Sequence, residues 1–225
     1  MSVPPPIPLS DTPSNVVPFG GFGAKNERPT PPGPWTMETL SGRRVNLVAP
    51  DPQSINLIDI AVALSRIRRY SGHTREPYSV AAHSVWTARL CERADCDSAT
   101  ILHALLHDAH EAYIGDIPTP VKRLPDVFEA IYACSERLQN TIYEALRLAP
   151  PTVEQQDWVA WADSFALVEE AATFMPSRGA DWGVKVLRAP RSFTGLPPLV
   201  IPDTAERSAE TFLQIYRKHY IEVKR

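Results

Sequence analysis

The sequence predicts an all-α protein, a bundle of six or so helices with one small β-hairpin near its start. Three observations carry this. Apolar residues recur near the helical period in six successive segments between Ser54 and Tyr220. Paired short strands are suggested only at Thr36 to Leu40 and Arg43 to Val48, around the tight-turn dipeptide Ser41-Gly42. A chain of 225 residues, 44% hydrophobic and 22% charged, suits about one domain that buries a core.

The elements follow in order. Residues 1–36 hold ten prolines and four glycines, about 39% of the segment and above the roughly 25–30% that marks low-complexity sequence, so residues 1–34 are expected to form a flexible tail. The folded domain is expected over 35–225, beginning at Trp35. From Ser54, the residues Ile55, Ile58, Val62 and Leu64 predict a helix that ends in the basic run Arg66, Arg68, Arg69. Gly72 and Pro77 mark a loop. Ser79 is placed to cap a helix through Arg93, and Asp97 to cap another through Ala112. Pro118, Pro120 and Pro125 interrupt the pattern, which resumes at Val127 to Leu148 and Val153 to Phe174. A proline-rich stretch then leads to an amphipathic helix from about Thr204 to Tyr220.

Composition narrows the function classes. No run of eighteen apolar residues is present, so no membrane span is expected. The start MSVPPPIPLSDTPSNVVPF lacks the charged and apolar regions of a secretory signal, which points to the cytoplasm. Cys91, Cys96 and Cys134 are odd in number and lack CxxC spacing, against a disulfide framework or a cysteine-built zinc site; they read as small buried apolar side chains. A net charge of −3 argues against a nucleic-acid partner, while a small anionic substrate needs only a few cations gathered locally.

The informative stretch is His107-Asp108-Ala109-His110-Glu111-Ala112-Tyr113-Ile114-Gly115-Asp116-Ile117-Pro118-Thr119-Pro120-Val121-Lys122. His107 and Asp108 offer a nitrogen and a carboxylate oxygen side by side, donors for a borderline divalent ion. Further donors must come from other helices. His83, in Val80-Ala81-Ala82-His83, and Asp163, after Trp158-Val159-Ala160-Trp161-Ala162, are candidates; an Asp163 that faces water or caps a turn is the plainer alternative. Glu111 lies one helical turn after His107, on the same face of a continuous helix, and Asp116 follows in the Gly115 turn. Such carboxylates suit the handling of a water that a divalent ion acidifies, chemistry that dispenses with a serine or cysteine nucleophile. The zincin order His-Glu-x-x-His, the Gly-x-Ser-x-Gly elbow and the phosphate-binding Gly-x-x-x-x-Gly-Lys loop are absent.

The separated His83, the doublet His107-Asp108 and the distant Asp163 resemble the H…HD…D pattern of HD-domain metal phosphohydrolases. The run HDAHEAYIGDIPTPVK is similar to the corresponding stretch of the YfbR-like 5′-deoxynucleotidases and of phage deoxynucleoside triphosphohydrolases. The resemblance spans roughly Ile55 to Ala172. It implies an all-α HD-domain bundle and one divalent ion, Co, Mn, Zn or Mg, held by His83, His107, Asp108 and Asp163. Glu111 and Asp116 match the family's water-handling carboxylates. Arg69-Tyr70 resembles the Arg-aromatic pair beside the nucleotide, with Arg68 as the alternative arginine, and Tyr70 stands where the nucleotidases usually carry tryptophan. An arginine fork clamps phosphate oxygens, and Lys122 is a second phosphate candidate.

The implied activity is removal of phosphate or polyphosphate from deoxynucleotides, with adenine-type mono- or triphosphates favoured, in control of the nucleotide pool. Hydrolysis of a cyclic or signalling nucleotide is a second reading, and a non-catalytic nucleotide sensor a third. The superfamily often forms dimers, so a homo-oligomer is compatible with the sequence. His103 reads as a core histidine or a residue that orients a ligand, His110 as a pocket residue, and His219 as a surface residue. Trp86, Trp158 and Trp161 read as core aromatics.

Overall fold

The computed structural model describes residues 33–192, 195–199 and 204–224; the predicted tail lies outside them, save its last two residues. Strands β1 (Thr36–Glu38) and β2 (Arg44–Asn46) pair antiparallel, with Met37 opposite Val45. The predicted Ser41-Gly42 turn joins them, with Gly42 at φ +78°, a conformation that favours glycine. The first long helix, α1 (Leu57–Arg66), anchors this turn through Asp59. The buried Asp59 carboxylate accepts from Thr39 Oγ1 at 2.6 Å, Ser41 Oγ at 2.6 Å and Ser41 N at 3.0 Å. Three donors replace the water it loses.

The helix predicted from Ser54 begins later. Asp51 caps a single 3-10 turn at Pro52–Ser54, and Asn56 caps α1 by accepting from Ile58 N at 2.8 Å. The chain after α1 runs extended, Arg68 forms an antiparallel bridge with Ser79, and a 3-10 turn follows at Arg69–Gly72. Then come α2 (Val80–Arg93), capped by Ser79, and α3 (Ser98–Leu106), capped by Asp97, as the sequence predicts.

The single helix predicted from Asp97 to Ala112 is broken. After α3 the chain tightens through i→i+3 bonds, Ala109 N to Leu106 O at 2.9 Å and Glu111 N to Asp108 O at 3.0 Å, before the one-turn α4 (Glu111–Ile114). In 3-10 geometry side chains three apart eclipse, so Asp108 and Glu111 align, and the shared face expected for His107 and Glu111 is not supported by a continuous helix.

Gly115, at φ +81°, ends α4, and the proline run forms a second short helix, α5 (Thr119–Lys122). The remaining helices are α6 (Phe128–Ala145), α7 (Val153–Phe174), opened by a Thr152/Gln155 capping box, and α8 (Ala205–Val223), capped by Thr204.

Helices α2 and α3 pack on each other, on α7 and on α8, and α8 also lies along α1. Leu64, Leu90, Leu102, Leu105, Leu106, Leu138, Ile142 and Phe212 are wholly buried between them. Each such side chain stabilises the fold by about 1.5–3 kcal/mol relative to exposure. Trp86, Trp158 and Trp161 join this core, as expected. Two readings need correction. His219 is buried, because Glu92 of α2 and Ser98 of α3 supply polar partners for a ring facing inward. Of the cysteines only Cys91 is fully buried; Cys96 and Cys134 are partly exposed, and all three are free thiols.

Candidate metal centre

The three packed helices α2, α3 and α7 bring the separated donors together. His83 sits one turn into α2, His107 and Asp108 follow the last turn of α3, and Asp163 lies halfway along α7. His83 Nε2 stands 3.2 Å from His107 Nε2, 3.2 Å from Asp163 Oδ1 and 3.7 Å from Asp108 Oδ2. His107 Nε2 stands 3.1 Å from Asp108 Oδ2 and 3.9 Å from Asp163 Oδ1. Donors about 2.0–2.2 Å from one ion are separated from each other by about 3.3 Å in a tetrahedral shell. Three of the five separations, at 3.1–3.2 Å, come close to that edge length, and the other two, at 3.7 and 3.9 Å, are longer.

The tautomers fit a cation as well. His83 Nδ1 donates to Glu170 Oε1 at 2.7 Å, and His107 Nδ1 donates to the Ala104 carbonyl at 2.7 Å. Neutral rings tethered in this way carry their lone pairs on Nε2, and the two Nε2 atoms face each other at 3.2 Å. Two lone pairs so placed repel unless a proton or a metal ion lies between them. His83, His107 and Asp163 thus form one group able to hold an ion, and Asp108, His110 and Glu111 form another, each with ligand atoms within 4.8 Å of one another.

Charge is unevenly distributed here. Burial alone lowers the His107 imidazole, but the Asp108 carboxylate raises it to about 9. Asp108 is itself held well below its ordinary value: burial opposes ionisation, and His107, His83 and Arg69 outweigh it. Glu111 is pushed up to about 9 by burial and by the Asp108 and Asp116 carboxylates. Its Oε1 stands 3.9 Å from Lys122 Nζ, and its Oε2 is buried without a hydrogen-bond partner. Asp116, half-buried after the Gly115 turn, is also raised, by burial and then by Asp108 against the opposing charge of Arg69.

Of the two candidate arginines, Arg69 is buried at the centre and Arg68 is exposed. Arg69 Nε donates to Glu170 Oε2 at 3.0 Å, and Nη1 lies 3.8 Å from Asp108 Oδ2. Tyr70 adopts φ +56° and Ser71 φ +51°, left-handed conformations that cost non-glycine residues about 1–3 kcal/mol each. The Tyr70 hydroxyl donates to Glu170 Oε2 at 3.0 Å, and its ring lies 5.8 Å from Trp182. Lys122 is one-third exposed, at the mouth of a cleft of about 320 Å³ that His107, His110 and the α6 residues Phe128, Tyr132, Gln139 and Asn140 also line. Phe128 and Tyr132 stack at 5.6 Å on its wall, each more than half exposed.

Glu170 is the functional residue that sequence reasoning missed. Wholly buried, it accepts from Arg69, Tyr70, Tyr78 and His83. Nothing local announces this: it stands in Val168-Glu169-Glu170-Ala171, beside an acidic neighbour, in a helix where Glu154, Asp157 and Glu169 are exposed. The one available signal is its spacing, seven residues or two turns after Asp163, which puts both on one face of α7.

No protein-family model matches the sequence. The uncharacterized protein YfdR of Escherichia coli (strain K12) is 34% identical over 148 residues, covering 66% of this chain and 77% of its own length. The chain belongs to the YfdR family. A second relative, an uncharacterized protein of Rhodobacter capsulatus, is 45% identical over 87 residues, or 37% of this chain and 44% of that one. Among solved structures, the cyanophage S-2L HD phosphohydrolase DatZ, bound to dA and one catalytic Zn2+ ion, is similar over 71% of this chain and 94% of its own, with 19% identity and a TM-score of 0.39. That overlap is too low to carry residues from one chain to the other. Within the described residues, no helix is long and apolar enough to cross a membrane.

Proposed function

We propose that this YfdR-family protein is a metal-dependent phosphohydrolase of the HD-domain kind, removing phosphate or polyphosphate from nucleotides, with deoxyadenine-type mono- or triphosphates as the favoured class. The observation that carries the reading is the meeting of His83 Nε2 and His107 Nε2 with each other and with the Asp108 and Asp163 carboxylates at 3.1–3.9 Å, with the buried Arg69 guanidinium 3.8 Å from Asp108.

These four side chains would hold one divalent ion, which supplies Lewis acidity toward a phosphoryl oxygen and makes a water acidic enough to attack near neutral pH. Two nitrogens and two carboxylates suit Co, Mn or Zn, and Mg less well. Arg69, kept charged by Glu170, binds phosphate oxygens as negative charge builds on them. Lys122 contributes a second, mobile positive charge from α5. With a bound cation offsetting the burial and carboxylate repulsion that raise it, Glu111 would take up the attacking water's proton, and Asp116, raised above its ordinary value, would donate one to the leaving oxygen. The Phe128–Tyr132 pair on the cleft wall suits a flat base, since stacking tolerates any π-face.

The purpose would be control of the nucleotide pool. Product analysis over ribo- and deoxynucleotide mono- and triphosphates tests the reading: release from deoxynucleotides supports it, the leaving product identifies the bond broken, and release confined to cyclic or signalling nucleotides replaces the substrate class.

A further inference from the structure

We infer that Cys91 and Cys96 form a modification site, a thiol pair that a hydroperoxide converts to a reversible intrachain disulfide, with Cys96 as the attacking sulfur and Cys91 as the resolving one. The site lies at the corner between α2 and α3 and uses none of the residues given a part in hydrolysis.

The backbone of the corner brings the two side chains together. Asp95 N donates to the Glu92 carbonyl and Cys96 N to the Cys91 carbonyl, both at 3.1 Å, and Asp95 takes the left-handed φ +55°. Two such bonds around one left-handed residue form the Schellman ending of a helix, in which the side chain just past that residue packs back on the one five positions earlier. Here both positions are cysteines, and the Cys91 thiol donates a hydrogen bond to the Cys96 sulfur. A disulfide needs Cα atoms about 4.4–6.8 Å apart. The backbone bond between these residues provides that approach without moving one helix against the other.

The thiols differ as the two roles require. Cys91 is sealed in the core, while Cys96 is partly exposed, open to a small solute. The hydrogen bond from Cys91 lowers the Cys96 thiol against its burial, and the Arg191 guanidinium lowers it further against Asp97 and Asp95. The same hydrogen bond, with burial, pushes the Cys91 thiol up. Arg191 is fixed at the corner by the Ala94 carbonyl at 3.0 Å and by the Asp95 carbonyl, and its guanidinium lies 5.5 Å from the centre of the Trp158 ring. A cation beside a partly exposed thiol is the setting of reactive cysteines, because the thiolate is the nucleophile.

With hydrogen peroxide, the Cys96 thiolate attacks one oxygen and the O–O bond breaks. The leaving hydroxide takes up the proton that Cys96 released, giving a sulfenic acid and water. The Cys91 sulfur then attacks the sulfenic sulfur, the S–O bond breaks, and the Cys91 proton leaves with the hydroxide as a second water. The two sulfurs lose two electrons between them, and the peroxide gains two.

The test is a peptide map. The fully reduced full chain is given one equivalent of hydrogen peroxide, remaining thiols are alkylated, and a tryptic digest is read by mass spectrometry without reduction. Trypsin cuts after Arg93, so a bridge joins the peptide 90–93 to the peptide 94–122. The inference expects these two peptides linked with the loss of two hydrogens, separated again by a dithiol reductant, and Cys134, whose sulfur contacts the Leu47 carbonyl at 3.8 Å, still alkylated as a thiol. In Cys91→Ser, Cys96 should stop at the sulfenic acid, which dimedone labels. In Cys96→Ser, Cys91 should remain a thiol, and in Arg191→Gln the bridge should form more slowly. The wild-type map decides alone if a variant fails to fold. A wild type that keeps all three thiols overturns the inference. So does one in which Cys96 passes to sulfinic acid with Cys91 unbridged, or in which the disulfide joins Cys134 or a second chain.

Discussion

Glu170 Oε1 accepts a hydrogen bond from His83 Nδ1 at 2.7 Å, joining residues 87 positions apart on α7 and α2. The other oxygen of the same carboxylate takes Arg69 Nε and the Tyr70 hydroxyl, both at 3.0 Å. One buried charge therefore orients the proposed metal donor His83 and the proposed phosphate-binding Arg69 together. Glu170→Ala should destabilise the fold by about 3–5 kcal/mol, the scale for leaving a buried partner such as Arg69 uncompensated. Glu170→Gln, which keeps the shape, should cost less while weakening metal binding about 10–100-fold. Urea unfolding in chelator and metal titration separate the two effects.

The same carboxylate predicts an acid limb of stability. Burial works to raise Glu170, but Arg69 and His83 hold it below its ordinary value in the folded state. As pH falls past about 4.3, the unfolded chain takes up this proton first, so Glu170's contribution is complete above that pH and is lost below it. Urea midpoints between pH 3 and pH 6 should fall more steeply toward acid in the wild type than in Glu170→Gln. Equal slopes would remove Glu170 as the source.

Glu111→Ala should keep the ion at the His83–His107 centre and lose turnover by about 10²-fold or more, the scale of a positioned acid–base group. Steady-state kinetics alongside a metal count checks this. Unchanged turnover removes Glu111 from the chemistry.

Helix α8 closes the bundle far from the donors, through His219. Its Nε2 lies 2.7 Å from Glu92 Oε1 and its Nδ1 2.8 Å from Ser98 Oγ, while Ser98 also bonds Glu222 and Lys218 reaches Glu92. His219→Ala should lower stability by about 1–3 kcal/mol, the cost of stranding buried polar partners, with the metal count unchanged. Calorimetry with metal analysis reads both; a lost ion would mean that α8 supports the centre.

How far the sequence revealed this arrangement depended on how local each signal was. Ser79 and Asp97 were legible as caps because the side-chain oxygen and the backbone N–H it bonds lie within three residues, and Thr152 and Thr204 cap by the same geometry without having been named. The four donors could be listed from motif resemblance, and their meeting depends on packing of α2, α3 and α7. The break after Leu106 went unread because Ala109 and Ala112 suit an unbroken helix, and only the i→i+3 bonding reveals the tightening. Glu170 and His219 were missed for one reason: a charged or polar residue in an amphipathic helix looks solvated until its distant partners are placed. Arg68 and Arg69 are adjacent, and which one turned inward was decided by the extended bridge of Arg68 to Ser79.

The proposed function requires that a metal held by His83, His107, Asp108 and Asp163 drive nucleotide hydrolysis. The most direct test is release of phosphate, pyrophosphate or triphosphate from dAMP and dATP by chelated protein, before and after Mn2+, Co2+, Zn2+ or Mg2+ is restored, in the wild type and in His107→Ala and Asp108→Ala. Release should stop after chelation, recover with at least one metal, and fail to recover in either variant. Release that survives chelation, or that persists in both variants, would contradict the proposed function, as would a wild type that binds metal and nucleotide and forms no product.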